Sequence, residues 1–275
     1  MSQNPLQQYF RQPKIFIKLP SHGVYNRPDV IKGDVDNMPI FGMTGMDEML
    51  IKTPDALLTG ESTARVIQSC CPGITDGWDT SNLDVDALLI AIRIATYGNT
   101  MTISTLCKNC QTESDYDIEL DQYLDHFNSA RFDPKVIIGD LTITIRPLSY
   151  KEATSFNLEN FGIQQRLNQI LTLTDEKEKQ RLMSELFKEL GALQTRIFIA
   201  GVVSVDTPEI QVSEHAFIKE WLENCDKSIF DTLKDHIDEN NARWKMPPKT
   251  VKCDNCGHED QITIELDQSG FFAGA

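Results

Sequence analysis

The run Lys14-Ile15-Phe16-Ile17-Lys18-Leu19 alternates as a strand does and stops at Pro20. After the turn Ser21-His22-Gly23-Val24-Tyr25, Met38-Pro39-Ile40-Phe41-Gly42-Met43 predicts a second extended piece. The period then changes to that of a helix. Thr44 with Asp47 three residues on is a helix-start signal, Thr53-Pro54 repeats it with proline at the first helical position, and Gly60 ends that turn. Glu61 to Cys71 reads as a further helix cut off by Pro72-Gly73, and Ser81 caps the most apolar one, Leu83 to Tyr97, closed by Gly98. A helix apolar on all sides belongs in a core. Arg93 inside it therefore needs a partner, for which Asp84, Asp86 or a carboxylate elsewhere would serve, and it reads as a fold-specifying ion pair and not as a catalytic arginine.

Further on, Met101-Thr102-Ile103 and the run from Asp115 to about Gln122 read as strands, and Val136-Ile137-Ile138 with Leu141 to Ile145 flank Gly139-Asp140 as a hairpin. Ser149 and Glu152 stand in capping-box register, and the pattern is helical from there to about Val205. Thr174 to Arg181 is a charged join or exposed helix start, and Leu182, Leu186, Leu190, Leu193 and Ile197 form one packed stripe. Ser213 begins another helix with Phe217, Ile218, Trp221 and Leu222, followed by Ile229, Phe230, Leu233 and Ile237, and Pro247-Pro248 leads out. These elements predict an α+β fold, mostly helical with short antiparallel strands.

One stretch occurs twice. Cys107-Lys108-Asn109-Cys110 is followed by Ile118-Glu119-Leu120-Asp121-Gln122, and Cys253-Asp254-Asn255-Cys256 by Ile264-Glu265-Leu266-Asp267-Gln268, at a single offset of 146 residues. A Cys-x-x-Cys turn leading into a strand is a zinc knuckle, which supplies half of a tetrahedral site; two knuckles make a closed zinc-ribbon-like one. The predicted ligands are Cys107, Cys110, Cys253 and Cys256 around one structural Zn2+, tying the middle of the chain to its end. A redox pair would sit at a helix start, whereas these lead into strands. Loss of the metal, leaving disulfides or free thiols, is the other alternative. His258 could replace a thiolate, but four cysteines fill the site, so it donates to a sulfur or faces solvent. The helix starts at Thr44 and Ser149 lie only 105 residues apart, so a tandem duplication would carry an insertion of 41 residues in its second copy. The implied organisation is an N-terminal arm over 1–14 and two α+β halves, 15–122 and 123–275, each closed by a knuckle.

Composition narrows the chemistry. A net charge of −15 over 275 residues disfavours unaided phosphate binding, so no nucleic-acid partner is expected. Seven cysteines, an odd number with Cys70-Cys71 adjacent and Cys225 isolated, do not suggest a secreted disulfide framework. There is no apolar run long enough to span a bilayer, and the first residues lack the pattern of a signal peptide, so a soluble intracellular protein is expected. There is no Gly-rich phosphate loop, Ser/His/Asp arrangement or His-Glu metal motif. His22 reads as a turn histidine. No catalytic residue, no small-molecule substrate and no cofactor besides zinc are expected.

Several runs in order carry a resemblance: Leu19-Pro20-Ser21-His22-Gly23-Val24-Tyr25, Met43-Thr44 with Asp47-Glu48-Met49-Leu50, Thr53 to Gly60, Cys71-Pro72-Gly73-Ile74, and Ala91 to Gly98 before Cys-x-x-Cys. Over about residues 15 to 122, and more loosely at the terminal knuckle with Phe271-Phe272, the chain resembles the baseplate hub and hub-assembly proteins of T-even-like contractile-tailed bacteriophages. That resemblance implies a non-enzymatic tail-baseplate protein, a structural hub component or an assembly factor. Its partners would be other baseplate and tail proteins, met in the host cytoplasm during assembly or in the virion. The N-terminal arm and the charged region near 174–190 are the expected docking elements. The other functional class is a zinc-ribbon adaptor for nucleic acid or a transcription complex, against which stand the acidic residues of the knuckle strands, Glu113, Asp115, Asp117, Glu119, Glu259, Asp260 and Glu265.

Overall fold

The structure, a computed structural model, describes residues 4–53, 59–264 and 271–272. The helix start at Thr53-Pro54 runs into residues outside these, as does the second Ile-Glu-Leu-Asp-Gln run beyond Ile264. A 3-10 turn over Pro5–Tyr9 precedes β1 (Pro13–Ile17), β2 (Met38–Phe41), α1 (Gly45–Ile51), α2 (Glu61–Cys70) and α3 (Asn82–Tyr97). Then come β3 (Thr100–Leu106), β4 (Glu113–Glu119), α4 (Asp121–Ser129), β5 (Lys135–Ile138), β6 (Leu141–Ile145), α5 (Tyr150–Leu171) and α6 (Glu176–Gly201). The chain ends with β7 (Val202–Asp206), β8 (Gln211–Val212), α7 (His215–Asn224), α8 (Lys227–Arg243), β9 (Lys249–Lys252) and β10 (Glu259–Ile262). It is an α+β fold with eight α-helices among the described residues, and all its strands pair antiparallel. No helix of the described residues is long and apolar enough to cross a membrane.

The chain packs as two units, residues 1–130 with 244–275, and residues 131–243. The terminal knuckle therefore belongs to the unit of the first one.

In the first unit α3 is the core. Leu83, Val85, Leu88, Leu89, Ile90 and Ile92 are all buried, which stabilises by about 1.5–3 kcal/mol apiece. Asp84 holds a loop against it. Its carboxylate, wholly buried, accepts from the Ser21 amide at 2.8 Å, Ser21 Oγ at 2.5 Å and Asn26 Nδ2 at 3.1 Å. Burial pushes the Asp84 carboxyl up, while Ser21 and Asn26 pull it back. Asn26 Oδ1 in turn accepts from the Ser81 amide at 2.7 Å. Two expectations are corrected here. Ser81 stands at the N-cap, but its side chain makes no cap bond, and the Asp84 amide donates to the Ser81 carbonyl at 2.9 Å instead. Among the described residues Arg93 has no carboxylate partner: Asp84 is spent on that loop, and the guanidinium lies 5.4 Å from the ring centres of both Tyr97 and Phe271, a cation–π arrangement. Its Nε and Nη1 find no hydrogen bond among the described residues, and desolvation lowers its pKa.

Thr44 and Asp47 form the capping box their spacing predicts, as do Ser149 and Glu152. The run to Gln122 divides: β4 ends at Glu119 and Asp121 opens α4. Leu120, Tyr123 and Phe127 bury one helical face there, a period hidden behind the alternation before it.

The second unit is a four-stranded sheet in the order β5-β6-β7-β8. Val136, Ile143, Ile145, Val202 and Val205 pack against Ile218, Leu222 and Leu233. Helix was expected to run to about Val205, but α6 ends at Gly201. The β-branched residues from Val202 pair with β6 instead, in keeping with their strand propensity. Thr174 and Asp175 lie in the join between the two helices and Glu176 to Arg181 opens α6, with the Asp175 side chain accepting from the Lys177 and Glu178 amides. The antiparallel α5 and α6 close over Ile163, Ile170, Leu186 and Leu193, and Arg166 pairs with Glu189 as Arg196 does with Glu159.

Candidate metal centre

Each Cys-x-x-Cys lies at the tip of a two-stranded hairpin, β3–β4 or β9–β10. The backbone folds the two tips alike. The Cys107 amide donates to Thr112 O at 3.0 Å and the Gln111 amide to Cys107 O at 2.9 Å; in the other tip the Cys253 amide donates to His258 O at 2.9 Å and the Gly257 amide to Cys253 O at 2.8 Å. Gln111 and Gly257, at equivalent positions, both take the left-handed conformation, with φ of 58° and 72°. Glycine adopts it freely and glutamine at a small cost.

Folding brings the four predicted ligands together. Cys107 Sγ lies 3.7 Å from Cys256 Sγ, Cys110 Sγ lies 3.7 Å from Cys253 Sγ, and all four sulfurs fall within 4.8 Å of one another. Four thiolates at about 2.3 Å from a zinc ion would stand about 3.8 Å apart, so the donor set and its spacing fit one tetrahedral site. A disulfide, with sulfurs about 2.05 Å apart, does not fit those separations, and all seven cysteines are free. The tips are hairpin turns and not helix N-termini, which removes the usual setting of a redox pair. Cys107 and Cys253 are buried, Cys110 is half-buried and Cys256 is exposed.

Hydrogen bonds distinguish the sulfurs. The Thr112 hydroxyl 3.3 Å from Cys110 Sγ and the Thr112 amide, followed by Asn255, hold the Cys110 thiol down to about 5. At Cys107 the Cys110 amide pulls the same way, but desolvation and the neighbouring sulfhydryls outweigh it and raise the thiol to about 11. A bound dication would displace the remaining protons. Lys108 Nζ reaches Asp260 Oδ1 of the opposite hairpin at 2.5 Å. The His258 ring is exposed and makes no hydrogen bond to the described residues, so of its two expected positions it takes the solvent. The sequence reading passed over Thr112, Asn109 and Asn255. Their repetition at the knuckle offset, Asn109 against Asn255, was the signal available for the asparagines.

Along β4 the side chains of Glu113, Asp115, Asp117 and Glu119 stand exposed on one face. Thr102 donates to Asp117 at 2.7 Å and Ser104 to Asp115 at 2.5 Å. Four carboxylates in a row repel a phosphate backbone. The other cysteines lie apart from this cluster: burial pushes Cys70 up to about 12, raises Cys71 well above its ordinary value and raises Cys225. Nor does the Ser21-His22 pair make a nucleophile, since Ser21 Oγ bonds Asp84 directly with no imidazole between them.

A family model described as "T4 bacteriophage base plate protein" matches residues 43–273, most of the chain. No curated protein and no solved structure matches.

Proposed function

The chain belongs to the T4 bacteriophage base plate protein family, and on that premise we propose that it serves as a non-enzymatic subunit or assembly factor of the baseplate hub, braced by one structural zinc ion. The family match carries the baseplate reading. The spacing of Cys107, Cys110, Cys253 and Cys256 supports the metal. Four thiolates leave zinc no open position for substrate, so the ion would act as a cross-link between distant parts of the chain.

Its partners in this reading are other tail proteins, met during assembly or kept in the virion. The N-terminal arm suits such docking. Arg11 anchors it, donating to Ser69 O at 2.6 Å and Gly42 O at 2.7 Å beside Asp47, while Tyr9 is 76% and Phe10 56% exposed. The two knuckle hairpins, alike in turn geometry and offset, support a tandem duplication of the stretches 15–122 and 123–275. The adaptor alternative draws no support from the acidic face of β4.

The test is affinity capture of the tagged protein from infected cells, with mass spectrometry of purified particles and tail intermediates, and metal analysis of the purified chain. Recovery with baseplate proteins and one zinc per chain is expected. Recovery with transcription or metabolic proteins alone refutes the baseplate role, and a metal-free chain with reactive knuckle cysteines refutes the clasp.

A further inference from the structure

The two knuckles exchange side-chain hydrogen bonds. Asn109 Nδ2 lies 3.6 Å from Cys256 Sγ, and Asn255 Nδ2 lies 3.6 Å from Cys110 Sγ. Each asparagine thus reaches over its own turn to the second cysteine of the other, and the pair obeys the same approximate two-fold relation as the sulfurs. The usual local reason for asparagine in a tight turn is the left-handed conformation. That reason is missing, because the left-handed residues of these tips are Gln111 and Gly257. The other spacer position differs freely between the tips, Lys108 in one and Asp254 in the other.

Resting on the metal reading above, we infer that Asn109 and Asn255 are positioning residues of the clasp, each holding and partly neutralising a thiolate of the opposite knuckle. An amide N–H to a metal-bound sulfur withdraws charge from it, and four thiolates around one dication leave two negative charges to be spread. The bonds also tie the tips to each other independently of the ion. The arrangement is unequal in one respect. Cys110 has the Thr112 hydroxyl at 3.3 Å as a second hydrogen-bond partner, and Asn255 itself also donates to Thr112 Oγ1 at 3.0 Å. Cys256, the exposed sulfur, has Asn109 as its one side-chain partner besides the other sulfurs among the described residues. Loss of Asn109 is therefore the more damaging.

The experiment uses the full chain loaded with Co2+ and with Zn2+, as wild type, Asn109→Ala, Asn255→Ala and the double variant. Both side chains are exposed, so the variants keep the fold, which far-UV circular dichroism verifies. The thiolate-to-cobalt charge-transfer bands should move to lower energy, and zinc release to a chelator should quicken about 10-fold to 100-fold in the double variant, the range typical of lost outer-shell partners. Alkylation followed by peptide mapping should show a crossed pattern: Asn109→Ala exposes Cys256, and Asn255→Ala exposes Cys110 to a smaller degree. A role confined to each asparagine's own turn predicts the opposite pattern, Asn109→Ala acting on Cys110, and that result overturns the inference. So do unchanged bands and release rates. A wild-type chain that takes up neither metal refutes the clasp itself, which is a separate outcome.

Discussion

Removing the proposed zinc ion should loosen one unit of this protein and spare the other. The closest link between the knuckles joins Cys110 to Cys253, positions 143 residues apart in the chain. Cutting a cross-link that closes a loop of that length returns about 5 kcal/mol of chain entropy to the unfolded state. That sits below the ~10–16 kcal/mol apparent for zinc in peptides that fold only around it, because the first unit keeps its α3 core without the ion. For a unit of this size each kcal/mol moves the melting temperature by about 2–4 °C, so chelation should lower it by about 10–20 °C. Calorimetry of the loaded and chelated chain measures the shift, and hydrogen exchange read by mass spectrometry locates it. Protection should fall in the hairpins at 100–119 and 249–262 and persist through residues 131–243, which form the other unit. A shift under ~2 °C with metal loss verified, or an equal loss of protection in both units, would refute the reasoning.

Four further outcomes follow from particular contacts. Asp84→Ala leaves the Ser21 and Asn26 donors without their acceptor and should cost about 3 kcal/mol in urea denaturation; a change under ~1 kcal/mol would mean that the loop holds itself. Desolvation raises the Asp86 carboxyl from 3.8 to about 6, so between those values the folded chain binds the extra proton and stability falls as pH rises; Asp86→Asn should remove that slope and stabilise by about 1–3 kcal/mol at pH 7, as melting curves at pH 4 and pH 7 would show. A Cβ at Gly77 would stand 2.2 Å from the Ala64 carbonyl oxygen, so Gly77→Ala should destabilise by about 2 kcal/mol or more in the same assay. At Gly162, inside α5, a Cβ meets nothing within 4 Å, and Gly162→Ala should instead raise stability by about 0.5–1 kcal/mol; a loss there would reveal a packed neighbour.

Local chemistry was legible wherever its cause was local. The capping boxes at Thr44 and Ser149 needed only three residues of spacing, and the hairpin at Gly139-Asp140 only a turn between two alternating runs. The four cysteines were readable as one cluster because coordination chemistry demands what no single knuckle supplies. The misread elements all have remote causes. Val202–Asp206 is a strand because β6, more than fifty residues earlier, offers an unpaired edge. Asp84 is no partner for Arg93 because Ser21 and Asn26 had already claimed it.

What the amino-acid order determines alone is therefore the set of short-range rules: where helices start, which faces are apolar, and that two Cys-x-x-Cys turns carry soft ligands. The tertiary structure decides who meets whom. It places the last knuckle in the same unit as the first while residues 131–243 pack as another, and it crosses Asn109 and Asn255 onto each other's partner sulfurs. The physical reason is range. Backbone sterics and helix capping act over a few residues, whereas a thiolate site or a buried carboxylate is satisfied by whichever group the folded chain delivers, however far away in sequence it began.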